Sequence, residues 1–368
     1  MKHVHVELIG KEIQPVYTML KQIIPDKVIY ICSQQTVDNI KMLEAHTARL
    51  PLESKHVKLE PHNLKSINDY IDSLYEELNE DDVLSFNLVG GTKFWALAFY
   101  KRFADRPNTH FFLISQDDTL WNLSNDTYTP VSSIDLDTIL SLQGQTVKSY
   151  IPLSEYTDED FETLKKIESI RQSNFDSFNK LAAVLTNEKK NALESQPNGQ
   201  FNDKGNSVSW QRPNKVTFTI NGTETELNSA NAMSLAFNSG WFEYKVAKLI
   251  EGWSKSTNIR LNSIFISKSG DVKNEIDIIV ETDQKPIFIE CKTQIKNHTD
   301  LDKFSTVVKN FSGKGGKAVF ISDAPMRDSA KAKCKESGIA YFCLQQHSKN
   351  LQDDLWAFLD RVIARINA

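Results

Sequence analysis

No stretch of the chain approaches the ~20 consecutive apolar residues that a membrane-spanning helix needs, which excludes an integral helical membrane protein. Met1 runs straight into the alternating, strand-like VHVELI without a signal peptide, so a cytoplasmic location is expected. Cysteine is scarce: Cys32, Cys291, Cys334 and Cys343 are scattered and form neither a CxxC pair nor a Cys/His ligand spacing. Structural zinc is thereby disfavoured and a reduced compartment favoured. His3, His5, His46, His56, His62, His110, His298 and His347 show no ligand spacing on a shared face, and none is given a role. Neither GxGxxG nor a Walker loop occurs, which argues against a dinucleotide cofactor or an NTP motor. Strong charge of one sign is also absent. The formal net charge is −5, far from that of a chain that coats nucleic acid. Residues 241–368 nevertheless hold 20 Lys and Arg against 16 Asp and Glu, a balance of +4 that leaves −9 for the first 240 residues. Any polyanion is therefore expected mainly at the C-terminal part.

What is present is an ordinary globular composition: 368 residues, 40% hydrophobic and 25% charged, enough for two cored domains. Up to Ser115 the β-branched runs VHVELI, VIYICS, HVKLE, VLSFNLV and HFFLIS alternate with helical patterns over residues 15–24, 36–50 and 63–78. That rhythm predicts an α/β domain with a mainly parallel, doubly wound, Rossmann-like sheet, with residues 121–150 completing a first domain of residues 1–152. Trp95, Phe99 and Phe103 recur at helical intervals and are expected in its core. Residues 157–194 read as long, charged, amphipathic helix. Residues 195–213, rich in Gln, Asn, Gly, Ser and Pro, read as a flexible loop, so that 153–213 is expected to be a helical connector and loop. A hairpin, KVTFTINGTETEL, with the turn signal Asn221-Gly222, opens the second domain, 214–368. There the pattern is helix (241–253), three strands (263–267, 275–280, 286–292), helix (300–311), strand (317–321), helix (327–337) and strand (339–344), an α-β-β-β-α-β order.

In IFIECKT, Glu290 and Lys292 are two apart on a strand and share one face, while Cys291 points to the other. The preceding strand, NEIDIIV, carries Asp277, and the short ETDQKP turn makes the two strands hairpin neighbours. Acids inside apolar runs are costly to bury unless they are paired or bind a cation. Converging carboxylates without His or Cys point to magnesium or manganese. Lys292 beside such an ion is a candidate to orient or deprotonate water or to stabilise phosphorane charge, its pKa lowered by desolvation and the metal. Glu243, at the start of the helix WFEYKVAKLIEGW, has two readings: a third acid of the set, or a helix N-terminal carboxylate stabilising the dipole by ~0.3 to 1 kcal/mol. Glu275 shares the face of Asp277 as an alternative ligand or a solvated acid, and Gln294 is a candidate phosphate contact or a solvated strand end.

At the other end of the chain, VLSFNLV runs into Gly90-Gly91-Thr92-Lys93 and an apolar helix, an arrangement that aims backbone N–H groups at an anion. The loops containing Gly10-Lys11 and Ser33-Gln34 follow the first and second strands and bring short polar groups nearby.

Glu243, Asp277 and Glu290-x-Lys292, in their αβββαβ context, resemble the PD-(D/E)xK, restriction-endonuclease-like signature, with Ile276 where that signature has proline. The three N-terminal loops resemble those of the CRISPR-associated Rossmann fold (CARF) domain. Together the halves are similar to CRISPR ancillary nucleases with an N-terminal CARF sensor and a C-terminal PD-(D/E)xK domain. The resemblance implies a homodimer that binds cyclic tetra-adenylate through Gly90, Gly91, Thr92 and Lys93 at phosphates and ribose. Gly10, Lys11, Ser33 and Gln34 would lie around the adenines. It further implies a metal-dependent endonuclease of type III CRISPR defence that cuts single-stranded RNA and DNA, with nicking of duplex DNA in its scope. Mn2+ or Mg2+ would be held by Asp277, Glu290, the Cys291 backbone carbonyl and, on the first reading of its role, Glu243. Two alternatives stand beside it: a nucleotide-responsive DNA-binding regulator, and an ungated PD-(D/E)xK restriction or repair nuclease.

Overall fold

The computed structural model describes residues 1–48, 53–115, 118–185, 196–237, 239–267, 270–283, 285–293, 299–312, 315–347 and 349–364. They form two compact units, Met1–Gly144 and Gln145–Ala364.

The first unit alternates β1 (His3–Leu8), α1 (Gln14–Ile23), β2 (Lys27–Cys32), α2 (Val37–Thr47), β3 (Glu53–Lys58), α3 (Leu64–Glu77), β4 (Val83–Asn87), α4 (Lys93–Phe103) and β5 (Thr109–Ile114). The hairpin β6 (Thr119–Asn122) and β7 (Thr127–Pro130) and the helix α5 (Leu136–Leu142) complete it. One seven-stranded sheet results, in the order β3-β2-β1-β4-β5-β6-β7. Its first five strands are parallel and its last two antiparallel, as the βα rhythm predicts. Val4, Val6 and Leu8 bury one face of β1 against Phe86, Trp95, Phe99 and Phe103, so the aromatic stripe of α4 is core. On the opposite face Val28, Tyr30 and Cys32 pack with Val16, Leu20, Ile40 and Leu43 of α1 and α2. From β1 the chain proceeds to β2 and β3 on one side, and from β4 to β5 on the other. The loops after β1 and β4 therefore flank a topological switch point, where a sheet of this kind opens a crevice for ligands.

The second unit begins with β8 (Thr146–Pro152), α6 (Asp158–Ser173) and α7 (Phe175–Ala182). A four-stranded antiparallel sheet follows: β9 (Asn198–Asp203), β10 (Asn206–Gln211), β11 (Lys215–Ile220) and β12 (Thr223–Asn228), in the order β12-β11-β10-β9. Then come α8 (Ala232–Ala236), α9 (Gly240–Ile250), β13 (Ser256–Ile266), β14 (Val272–Thr282), β15 (Ile287–Lys292), α10 (Thr299–Ser312), β16 (Lys317–Ser322), α11 (Asp328–Glu336), β17 (Ala340–Cys343) and α12 (Leu351–Ala364). Its larger sheet runs β17-β16-β15-β14-β13-β8. The stretch from α9 to β16 has the expected α-β-β-β-α-β order.

Three expectations about boundaries change. The units divide after Gly144 rather than after residue 152, because β8 pairs with β13 and becomes an edge of the second sheet. The expected connector helix is two helices parted at Asn174. Its stripe of Leu164, Ile167, Ile170, Phe178 and Leu181 is buried in the same cluster as Phe242, Ile278 and Ile289, so this segment is part of the second unit's core. The expected flexible loop contains β9 and β10. Polar side chains occupy its outer face while Val208 and Trp210 alternate inward, and composition hides that period of two. At the hairpin turn, Asn221 (φ 50°) and Gly222 (φ 76°) are both left-handed, the conformation a two-residue turn of this type demands. Among the described residues no helix is long and apolar enough to cross a membrane.

Candidate active site

β14 and β15 pair antiparallel through Val280↔Ile287, Ile279↔Phe288 and Ile278↔Ile289. Asp277 lies just past the last of these pairs, and its Oδ2 accepts the Cys291 N–H at 2.7 Å. The carboxylate thus takes over as acceptor for a backbone donor next to the end of the paired ladder. Glu290 and Lys292 share a face, with Lys292 Nζ 2.6 Å from Glu290 Oε1 and 3.8 Å from Asp277 Oδ2. The side chains of Asp277, Glu290 and Lys292 are 13%, 16% and 38% exposed, largely desolvated yet reachable. Glu243 stands in the first turn of α9, whose Phe242, Val246 and Ile250 are locked into the core.

The charges act on one another. Burial, and then Asp277, push the Glu243 carboxyl well above its ordinary range, while Lys292 opposes them. Burial also raises Asp277, against Lys292 and the Cys291 N–H. For Lys292, burial favours the neutral amine, but Asp277 and Glu290 outweigh it and hold the ammonium above its usual pKa. Without a cation at the site, the two neighbouring carboxylates keep this amine charged; the lowering expected from the sequence depends on a metal ion beside it. Both readings of Glu243 stand: it lies in the first turn of α9, and Asp277, Glu275 and Glu290 all raise its carboxyl. Glu275 is exposed and contributes field rather than contact. The Cys291 side chain is buried on the opposite face, its thiol pushed well up by burial, which removes it as a nucleophile. Gln294 lies outside the described residues.

Two carboxylates beside one ammonium, with the Glu243 carboxyl in their field, are oxygen donors that suit a hard divalent cation in chemistry. Among the described residues no three His, Cys, Asp or Glu side chains are drawn into a ready-made cation cluster; the Lys292 ammonium bonds to Glu290 and approaches Asp277.

The expected loops of the first unit also converge. A Cβ on Gly90 would lie 1.8 Å from the Leu8 carbonyl oxygen, and one on Gly10 would lie 3.0 Å from the Gly91 nitrogen, so the loops after β1 and β4 are interlocked. Gly91 is left-handed at φ 67°. Thr92 Oγ1 accepts the Trp95 N–H at 3.3 Å and caps α4. Asn39 Nδ2 donates to the Gly10 carbonyl at 2.9 Å, tying in α2. Lys11 and Lys93 are exposed. Ser33 is engaged within its own turn, accepting the Gln35 N–H at 3.2 Å, and Gln34 accepts a bond from Lys58. One group escaped the sequence reading: His3, His5 and Glu7 alternate along β1, the two histidines meeting Ser85 of β4 and Glu7 meeting His5 and Asn87. The alternation HVHVE in a strand covered on both sides is the signal that could have revealed them.

Residues 4–143 match the Card1 CARF domain family. The first unit has the CARF fold. Over the whole chain, the fold is similar to that of Can2 from Sulfobacillus thermosulfidooxidans in complex with cyclic tetra-adenylate, at 19% identity and a TM-score of 0.69, covering 99% of this chain and 100% of that one. It is also similar to protein VC1899 from Vibrio cholerae, at 17% identity and a TM-score of 0.74, covering 99% of each chain. A type III CRISPR defence DNA nuclease activated by cyclic oligoadenylate aligns at 14% identity and a TM-score of 0.58, over 98% of this chain and 52% of that one. No curated protein matches the sequence. In the CARF unit, the interlocked glycine loops lie at the sheet's switch point.

Proposed function

We propose that the protein is a metal-dependent endonuclease of type III CRISPR defence, switched on by cyclic tetra-adenylate at its CARF unit. The observation that carries this reading is the convergence of Asp277, Glu290 and Lys292 on neighbouring strands, with Glu243 electrostatically coupled to them. The set has the composition of a PD-(D/E)xK site, and the second unit has that superfamily's element order. Asp277, Glu290, the Cys291 backbone carbonyl and Glu243 would hold Mn2+ or Mg2+. The ion would supply charge neutralisation and polarisation at a phosphodiester. Asp277 fixes the β15 backbone through Cys291, and Glu290 holds Lys292 in place. As an ammonium, Lys292 is suited to stabilising charge that develops on phosphate oxygens and to donating a proton.

Full-length likeness to a protein bound to cyclic tetra-adenylate supports that ring as the activator, received by Gly10, Lys11, Gly90, Gly91, Thr92 and Lys93. Ser33 and Gln34 would have to exchange internal partners to reach it. Exposed Phe94, Leu97 and Tyr100 on α4, next to this loop, support a homodimer. Single-stranded RNA and DNA are the proposed substrates. The test incubates purified protein with Mn2+ or Mg2+, labelled single-stranded RNA and DNA and plasmid, with and without cyclic tetra-adenylate, beside Glu290→Gln. Cleavage that survives the substitution removes Glu290 from the mechanism. Cleavage indifferent to the ring removes the gate and leaves an ungated nuclease; ring binding without cleavage leaves a regulator.

A further inference from the structure

Beneath the glycine loop runs an unbroken chain of polar contacts. β1 and β4 pair with His5 opposite Ser85 and Glu7 opposite Asn87, so these side chains share one face of the sheet. His3 Nε2 lies 2.7 Å from Ser85 Oγ, and Ser85 Oγ lies 2.6 Å from His5 Nδ1. His5 Nε2 lies 2.9 Å from Glu7 Oε1, and Asn87 Nδ2 donates to Glu7 Oε2 at 2.9 Å. The chain ends where Val89 N–H donates to Asn87 Oδ1 at 3.0 Å, one residue before Gly90. His5, Glu7, Ser85 and Asn87 are fully buried. Strands covered on both faces ordinarily carry apolar side chains there, and well-packed apolar residues usually stabilise a fold at least as well as buried polar ones. The network therefore calls for a reason beyond folding.

Its hydrogen bonds close when every member is neutral, the state that burial imposes by raising Glu7 and lowering His5 to a pKa of about 3. The Glu7 hydroxyl donates to His5 Nε2, His5 Nδ1–H to Ser85 Oγ, and the Ser85 hydroxyl to His3 Nε2. Glu7 Oε2 is left to accept from Asn87. This holds the Asn87 amide in one orientation, amino group toward Glu7 and carbonyl toward Val89; a flipped amide would set two donors against each other.

We propose that Glu7 and Asn87 are positioning residues for the Val89-Gly90-Gly91 backbone, and that through it they set the loop's affinity for an anionic ring nucleotide. The affinity half rests on the activator reading given above. The test uses full-length protein and two readouts: calorimetric binding of cyclic tetra-adenylate, and amide hydrogen exchange over residues 88–93 without ligand. Glu7→Gln can still donate to His5 and accept from Asn87, so it should bind within about twofold of wild type with the loop equally protected. Glu7→Met keeps the length but frees the Asn87 amide to turn; it should bind roughly tenfold more weakly and exchange faster at the loop. Should Glu7→Met fail to fold, Asn87→Ala breaks the same bond from its other side. Equal binding and equal exchange for Glu7→Gln and Glu7→Met would overturn the proposal, as would Glu7→Gln failing as badly as Glu7→Met. If the wild type binds no cyclic tetra-adenylate, the activator reading falls, and the exchange contrast alone decides the positioning role.

Discussion

Both units bury ionisable side chains in β-sheets, and they resolve the cost in opposite ways. In the CARF unit, Glu7 is surrounded by neutral partners and keeps a proton, so its network is electrically complete and presents nothing but oriented backbone to the loop above. In the second unit, Asp277 and Glu290 flank one ammonium with Glu243 in their field; burial raises Asp277 and Glu243, and Asp277 pushes Glu243 up further. Desolvation alone would raise a carboxyl in either place. What differs is the company. Internally satisfied hydrogen bonds fix a geometry, whereas crowded like charges create a demand for a cation. A sensor loop profits from the first and a hydrolytic centre from the second.

The largest test of that contrast is removal of charge from the acid set. Asp277→Asn or Glu290→Gln should lower metal-dependent cleavage by about a thousandfold, read as single-turnover rates on labelled single strands. Lys292→Gln should lose comparable rate while Mn2+ binding, read by calorimetry, is retained or strengthened, because the amine competes with the cation for the same carboxylates. Equal loss of Mn2+ binding in all three variants would break the distinction drawn between the acids and the amine.

On the CARF side, the comparable substitution is steric. Gly90→Val would drive a Cβ into the Leu8 carbonyl and should cost about a hundredfold in activator-stimulated rate, with Mn2+ affinity at the second unit unchanged. A smaller effect separates the units thermally. Mn2+ at about 100 times its Kd should stabilise the second unit by about 2.7 kcal/mol, a shift of several degrees in its unfolding transition. Asp277→Asn should abolish that shift and Glu7→Gln should not.

Much of this was legible in the sequence because it rests on short periods. The five parallel strands of the first sheet, the β11-β12 hairpin, the αβββαβ order and the shared face of Glu290 and Lys292 follow from short patterns along single strands, and a short turn sufficed to make Asp277 their neighbour. Other features depend on what lies across space. β8 is a strand because β13 offers an edge, and β9 and β10 are strands because Val208 and Trp210 find a core beneath polar outer residues. The helix break at Asn174 and the burial of α6 were likewise decided by packing. Burial of Lys292 is legible from an apolar run, whereas the two carboxylates that hold its proton in the absence of a metal ion act through space. The roles of His5 and Glu7 are not legible along the chain, because their partners Ser85 and Asn87 lie 80 residues away.

The smallest expected effect is the pH dependence of stability, where the two units can be told apart by sign and by ion. Glu7 holds its proton in the fold well above its ordinary value of 4.5. Its contribution is therefore complete below pH 4.5 and is lost as pH rises toward the folded value. His5, lowered from 6.5 to about 3, contributes fully above pH 6.5 and loses that contribution as pH falls toward 3. Between 4.5 and 6.5 the two slopes oppose each other; above 6.5 only the carboxyl's remains. Glu243 and Asp277, raised in the same direction as Glu7, give the second unit a slope of the same sign. Mn2+ should flatten that slope, because a bound cation favours the ionised acids, and it should leave the slope from Glu7 untouched. Thermal scans from pH 6.5 to 8.5 in saturating Mn2+ should then show a residual fall in wild type that Glu7→Gln removes. A fall that persists in Glu7→Gln, or one that Mn2+ erases in wild type, would mean that the buried proton does not reside on Glu7 and that the two units manage their carboxyls in the same way.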